Sequence, residues 1–466
     1  MVQMPHIDAP AGAENSVRLR RTLKLRDLIF YGIVIITPIA PVPIYGLAQS
    51  LSGGHIVSCI VLAGIAMMFT AFSYGRMAAL YPSAGSAYVY VGQGLNRHLG
   101  FLAGWAMTLD YIVLPIVALI QAALAIERLV PSVPYAIWVV LFAFVITALN
   151  LRGIRSTAHA NIALLIAMSV VIGAFLTLAV RYLFGLHGLQ ILWSYQPAYH
   201  PAGSGLRTIL TATSFAALTY IGFDGVTTLA EDVERPRRNI LIATVSVCAI
   251  TTVLSCLLVY LAQSIWPDYR MFPNVETAFM DVTRRVGGQF LFQTMGVVVI
   301  LSSLGGALAG QVAVARILFG MGRDNVLPRK VFGYLHPKTN VPIANIVLVA
   351  VVALGGALML GLEHAGELVN FGAFLAFMGV NLATIRQYYL LRGKRERRFF
   401  TDALIPGIGF LFCLGIWLSL PMLAKTVGGV WLLLGFVYGV IRTRGFRLNT
   451  NPLIVSDLQD GHPMEQ

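Results

Sequence analysis

Apolar runs of 18 residues or more recur along most of the chain, and they decide its solvent. Each is long enough to cross a bilayer core of about 30 Å as a helix. The runs predict an all-α polytopic membrane protein with twelve transmembrane helices, at about 27–50, 55–80, 99–127, 135–151, 158–184, 207–232, 239–265, 290–319, 342–361, 365–390, 402–424 and 427–442. Charge agrees: 11% of residues are Asp, Glu, Lys or Arg, against about 25% in a soluble domain. No linker is long enough to separate soluble domains. The expected organisation is a tail at 1–26, one membrane domain at 27–445 and a polar tail at 446–466.

The formal charge of +13 raises the question of a nucleic-acid partner, and its distribution answers it. With twelve spans and the N-terminus inside, 26 of the 33 Lys and Arg fall on inside segments or at the inner ends of the spans beside them. That is the positive-inside bias of a membrane protein. The charge orients the chain, with both termini cytoplasmic, and calls for no nucleic acid. The first 26 residues are basic (Arg18, Arg20, Arg21, Lys24, Arg26) and lack a signal-peptide cleavage pattern. Cys59, Cys248, Cys256 and Cys413 all lie in apolar spans without metal-ligand spacing.

Within the first apolar run the chain reads Thr37-Pro38-Ile39-Ala40-Pro41-Val42-Pro43. Proline has no N–H and clashes with the carbonyl four residues back, at about 3 kcal/mol or more in mid-helix. Three in six residues predict a broken helix with the carbonyls of Val34, Thr37 and Ile39 released. In lipid such a break survives only inside protein or along a wet cavity. The sixth span holds a second interruption, Thr219-Tyr220-Ile221-Gly222-Phe223-Asp224-Gly225. Glycine loosens the backbone, and an intramembrane carboxylate marks a functional site by default. Breaks at matching places in two halves are the best sequence pointer to a transporter site. Helix N-termini there suit an anion and freed carbonyls suit a cation, so the solute is a small amine-bearing molecule.

Several stretches carry a family resemblance: Pro82-Ser83-Ala84-Gly85-Ser86-Ala87-Tyr88, Gly104-Trp105 with Leu109-Asp110-Tyr111, Gly222-Phe223-Asp224, Pro236-Arg237-Arg238-Asn239, and Gly322-Arg323-Asp324-Asn325-Val326-Leu327-Pro328. From about Arg20 to Arg444 the chain resembles the amino acid–polyamine–organocation permeases. It is nearest to bacterial putrescine importers through Asp110-Tyr111, the Phe332–Lys338 stretch and Asn370-Phe371-Gly372. The resemblance implies a LeuT-type fold of two inverted five-helix repeats, about 27–184 and 207–390, with helices 1 and 6 broken and two extra helices in 402–442. It also implies a multi-pass permease of the cytoplasmic membrane, coupled to H+ or Na+ or to exchange.

It places Asp224 beside the solute as a candidate proton sensor; the alternative is a carboxylate that only braces the loosened backbone. Asp110 either pairs with a cationic head or hydrogen-bonds a neighbouring helix. Tyr45, Tyr111 and Tyr220 either wall the pocket or pack. Thr37, Pro38, Ile39 and Ala40 on one break and Thr219, Ile221, Gly222 and Phe223 on the other complete the expected pocket, with Asn370 from span 10. Ser302 and Ser303 are weak sodium-site candidates, if span 8 approaches span 1; helix packing by small residues is the favoured reading. Pro43 stands where putrescine importers carry an acidic residue, so an amino acid is the expected solute and a polyamine the alternative. Ala167 stands where several proton-coupled relatives have a lysine.

Other classes lack their residues. A channel needs charge rings or a filter loop, and a membrane enzyme needs clustered acid–base groups. The nine histidines are scattered. No Gly-x-x-x-x-Gly-Lys-Ser/Thr phosphate loop is present, so neither an ATPase subunit nor a cofactor is expected.

Overall fold

The structure, a computed structural model, describes residues 23–82, 86–152, 158–188, 205–323, 327–336, 341–393 and 395–442. Most of both tails, Ser83–Gly85, Trp193 with most of its loop, Asp324–Val326 and Lys338 lie outside those residues. The described residues are almost entirely helical. In chain order the helices are α1 (Leu25–Ile36), α2 (Tyr45–Leu51), α3 (Ile56–Leu80), α4 (Ser86–Gly94), α5 (Arg97–Leu129), α6 (Tyr135–Leu151), α7 (Ala158–His187) and α8 (Leu206–Ala216). They continue as α9 (Pro236–Ile265), α10 (Ala278–Arg323), α11 (Arg329–Phe332), α12 (Ile343–Met359), α13 (Leu362–Ile385), α14 (Ile405–Ser419) and α15 (Met422–Arg442).

Among the described residues eight helices are long and apolar enough to cross a membrane alone, and a bent pair, Arg207–Tyr220 with Phe223–Ala230, angled by 42°, makes nine if it is one span. The other expected spans are shorter pieces: α6, α12, and the pair α1 and α2. Side chains on the rim of the bundle are apolar and bare, such as Phe144, Val253 and Ile441, as lipid contact requires. The expected junction of the last two spans moves forward to Leu420 and Pro421, and a further boundary moves. α10 begins at Ala278, inside the stretch read as a loop to 289, and bends at Gly288 (φ 65°, ψ −162°). Glycine adopts that conformation without the Cβ penalty other residues meet, so one helical segment ends there and the next starts close to the predicted beginning of the eighth span at 290.

Local chemistry sets several starts. Asn96 caps α5 by accepting the His98 N–H at 2.9 Å. Pro236 opens α9 at a position where a missing N–H loses nothing. A parallel bridge from Leu23 to Val233 ties the entry of α1 to the exit of the sixth-span segment. Trp105 on α5 and Trp431 on α15 each donate an indole N–H to the other's backbone carbonyl at 2.9 Å, with rings 5.1 Å apart. That reciprocal lock fixes α15 against α5.

The interior is divided in two. An upper core, at the end that carries residues 266–277, contains Ile39, Val42, Leu109, Phe215, Ala216 and Phe371. A lower core, at the end that carries α4, contains Ile36, Met107, Ala217, Phe223, Ala373 and Phe374. Five chain segments therefore cross from one core to the other within three residues: at Ile36/Ile39, Ile60/Ala63, Met107/Leu109, Ala216/Ala217 and Phe371/Ala373. Both helix breaks fall at that seam. Two apolar masses that do not merge leave a level where polar groups can sit.

Candidate functional site

Sequence placed the first break correctly. α1 ends at Ile36, α2 begins at Tyr45, and the prolines fill the turns between. Thr37 takes φ 63°, a strained conformation for a β-branched residue. The carbonyls are less free than the prolines alone imply. Thr37 O accepts the Ala40 N–H at 3.1 Å and Ile39 O accepts the Val42 N–H at 2.8 Å. Successive three-residue turns take back two of the three acceptors. Val34 alone of the three faces a proline, Pro38, with no turn donor in its place.

The second break is built differently. α8 tightens into a 3₁₀ turn at Ala217–Tyr220, the chain reverses hand at Gly222 (φ 104°), and a second 3₁₀ segment runs from Phe223 to Asp232. A Cβ on Gly222 would stand 2.6 Å from Ile35 Cγ2 of α1. The two breaks therefore meet at Ile35 and Gly222. Ile221 packs on both cores. Asp224 is buried. Ser86 of α4 donates to its Oδ2 at 3.4 Å, and the backbone N–H groups of Asp224 and Gly225 also reach the carboxylate. Ser86 belongs to a stretch that the sequence offered as a mark of resemblance, not as a site residue. Its role was invisible locally because its partner lies 138 residues away.

Asp110 sits on α5 at the seam, 5% exposed, with no partner for Oδ1 among the described residues. It lies within the field of Asp224. Tyr111, half-buried, feels both carboxylates and Tyr31. Five residues beyond Asp110 comes Pro115, inside α5. Its missing N–H denies the Tyr111 carbonyl its helical partner, which adds an acceptor one turn from Asp110. The signal was a lone proline in an apolar span, and it went unread. Gly372 of α13 packs so closely on α5 that a Cβ would meet the Ala106 carbonyl at 2.3 Å, bringing α13 against Asp110.

Other candidates have structural partners. Tyr220 donates to the Ile60 carbonyl at 2.9 Å and lies 3.0 Å from Thr252 Oγ1, joining α3 to α9. Asn370 donates to the Ser214 carbonyl at 2.5 Å, where α8 changes to the 3₁₀ turn, while its Oδ1 has no partner among the described residues. Thr219 is buried with an unpartnered hydroxyl. Tyr45 packs edge-on to Phe279, 5.5 Å between centroids, above the seam. Phe223 belongs to an aromatic cluster with Tyr74 and Phe377 that fills the space beneath it. α10 packs mainly along α5 and α7, and among its contacts with the first broken span is one with α2. Ser303 donates to Gln121 Oε1 of α5 at 3.5 Å, a contact between neighbouring helices of the kind the packing reading expects. Glu367, buried one turn before Asn370, was overlooked although an in-span carboxylate is itself a signal. Among the described residues no three His, Cys, Asp or Glu side chains could hold a metal ion.

What the seam presents is two buried carboxylates, hydroxyls and amide oxygens. None of the three ion pairs found among the described residues reaches it. Two uncompensated carboxylates in an apolar interior cost several kcal/mol, a cost that a cation or a proton removes.

Known proteins agree with this picture. The amino acid permease family model matches residues 42–430. The low-affinity putrescine importer PlaP of Escherichia coli is 32% identical over 434 residues, covering 92% of this chain and 95% of that protein. The methylthioribose transporter of Bacillus subtilis is 26% identical, with 92% and 95% covered. The branched-chain amino acid permease BcaP of the same organism is 25% identical, with 94% and 96% covered. The chain belongs to the amino acid permease family and is a membrane transporter, not an enzyme.

Proposed function

We propose that this permease imports putrescine or a similarly short diamine by alternating access. One observation carries the reading: Asp110 and Asp224 are both buried, Asp110 within the field of Asp224, and neither has an ion-pair partner among the described residues. Two ammonium groups on a short methylene chain would neutralise both. A zwitterion brings one positive group and adds a carboxylate. The likeness to a putrescine importer supports the same choice. The expectation of an amino acid, drawn from Pro43, therefore gives way to its alternative. The acid missing from the first break has a counterpart in Asp110 on the neighbouring α5.

In this reading the chain has twelve spans. α1 with α2 and α8 with the 3₁₀ segment are the broken first members of two inverted five-helix repeats, and α14 and α15 are additions. The basic segments face the cytoplasm, so residues 266–277 face outward. Asp224 holds a proton when no diamine is bound, and Tyr111 and Thr219 line the space between the carboxylates. Uptake of labelled putrescine into proteoliposomes, with leucine and lysine as competitors, tests the assignment. Saturable putrescine uptake that leucine does not inhibit is expected; leucine accumulation with no putrescine uptake would refute it.

A further inference from the structure

At the upper end, well above the seam, lies a half-open cleft of ≈ 290 Å³, its mouth included. Pro43 of the first break forms part of its wall, with Gln121 and Leu124 of α5, Val299 of α10, and Glu276 and Thr277 from the turn before α10. Three features mark it as more than a packing defect.

Glu276 is half-buried and has neither a hydrogen bond nor an ion pair among the described residues. Burial and the neighbouring carboxylate of Glu127 push it above the usual carboxylate range. Glu127 accepts the Tyr135 N–H at 3.0 Å, which leaves its charge uncompensated. The adjacent cation, Arg128, is already engaged by Asp281 at 2.8 Å. Thr277, 8% exposed, lines the cleft with a hydroxyl that has no partner among the described residues. Leu124 and Val299, opposite the polar groups in kind, supply apolar wall.

We propose that Glu276, Thr277 and Gln121 form a second, outer binding site for an organic ammonium ion, separate from the seam. An ammonium has three donors and no acceptor. Glu276, the Thr277 hydroxyl and the Gln121 amide oxygen are acceptors of the right kind, and the apolar wall suits a methylene chain. A small metal ion would gain nothing from that wall. The site gathers cations at the mouth of the path to the seam, since a cleft lined by one sign of charge raises the local concentration of its counter-ion. The identity of the occupant as a diamine rests on the proposed function; the site itself does not.

Two measurements test it. In proteoliposomes, Glu276→Gln should raise the KM for putrescine about tenfold, the weight of one charge-assisted hydrogen bond, with kcat within twofold of wild type. Glu276→Asp should restore most of the loss, and added salt should shrink the difference. Separately, Leu124→Cys puts a thiol on the apolar wall with both carboxylates intact. Putrescine should slow its reaction with a membrane-impermeant thiol reagent added outside, and should do so equally when Asp110→Asn has disabled the seam. Wild-type uptake with unchanged KM in Glu276→Gln and no protection of the thiol would overturn the outer site and leave the diamine reading standing. Protection without any putrescine uptake by the wild type would do the reverse. Equal protection by calcium, or labelling only from the cytoplasmic side, would also overturn the proposal.

Discussion

The two helix breaks meet at the same level yet are made by opposite means. At Thr37–Pro43 the backbone is rigid: prolines fix φ, and short turns recapture the carbonyls of Thr37 and Ile39. At Gly222–Gly225 the backbone is permissive, the polar group is a carboxylate, and a neighbouring hydroxyl from α4 reaches it. One break supplies shape and the other supplies charge. A transporter needs both in different places, because a group that changes its charge or partner during a cycle sits best on a backbone that can adjust, against a wall that cannot.

Variants at the two breaks should separate these roles. The largest effect belongs to Asp224→Asn, which removes the charge and keeps the shape. Truncating one side of a buried charged pair costs about 2–5 kcal/mol, so kcat/KM for putrescine should fall at least thirtyfold at normal expression; unchanged gradient-driven uptake would end its role. Gly222→Ala comes next. Both φ 104° and Ile35 at 2.6 Å oppose a Cβ, at about 1–3 kcal/mol for the backbone alone, read as a lower melting temperature and weaker uptake. Adding Ile35→Ala should relieve the steric part only; full recovery would show that the left-handed backbone does not matter. Pro41→Ala should matter less, within about threefold in uptake, because the remaining turns and prolines keep the break. A loss as large as that of Asp224→Asn would place the main constraint in the first break instead. Smallest is Tyr220→Phe. It should cost about 1 kcal/mol of stability from its lost hydrogen bonds and leave KM unchanged, whereas a wall of the pocket would change KM.

Sequence carried the parts of this account that are local. Long apolar runs give long helices because backbone groups in lipid have no other partner. Three prolines and a glycine-flanked aspartate mark breaks because each acts within four residues. What sequence hid was distant. Tyr220 reads as pocket wall or packing and Asn370 as a pocket group, and the partners of their donors, Ile60, Thr252 and Ser214, lie on other helices. The released carbonyls were overcounted because turns inside the break compete for them. Ser86, Glu276 and Glu127 matter only through neighbours brought near by folding. The division into two cores has no sequence signature at all, since both are built from the same residue types, and it is this division that locates the seam.

The central claim is that Asp110 and Asp224 together hold a dication. Equilibrium binding of labelled putrescine to the purified protein, set against its singly charged analogue butylamine, tests it most directly. The account predicts that putrescine binds at least tenfold more tightly than butylamine, and that Asp110→Asn removes most of that advantage while leaving butylamine affinity nearly unchanged. Equal affinity for the two ligands, or a preference for putrescine that survives in both Asp110→Asn and Asp224→Asn, would contradict it.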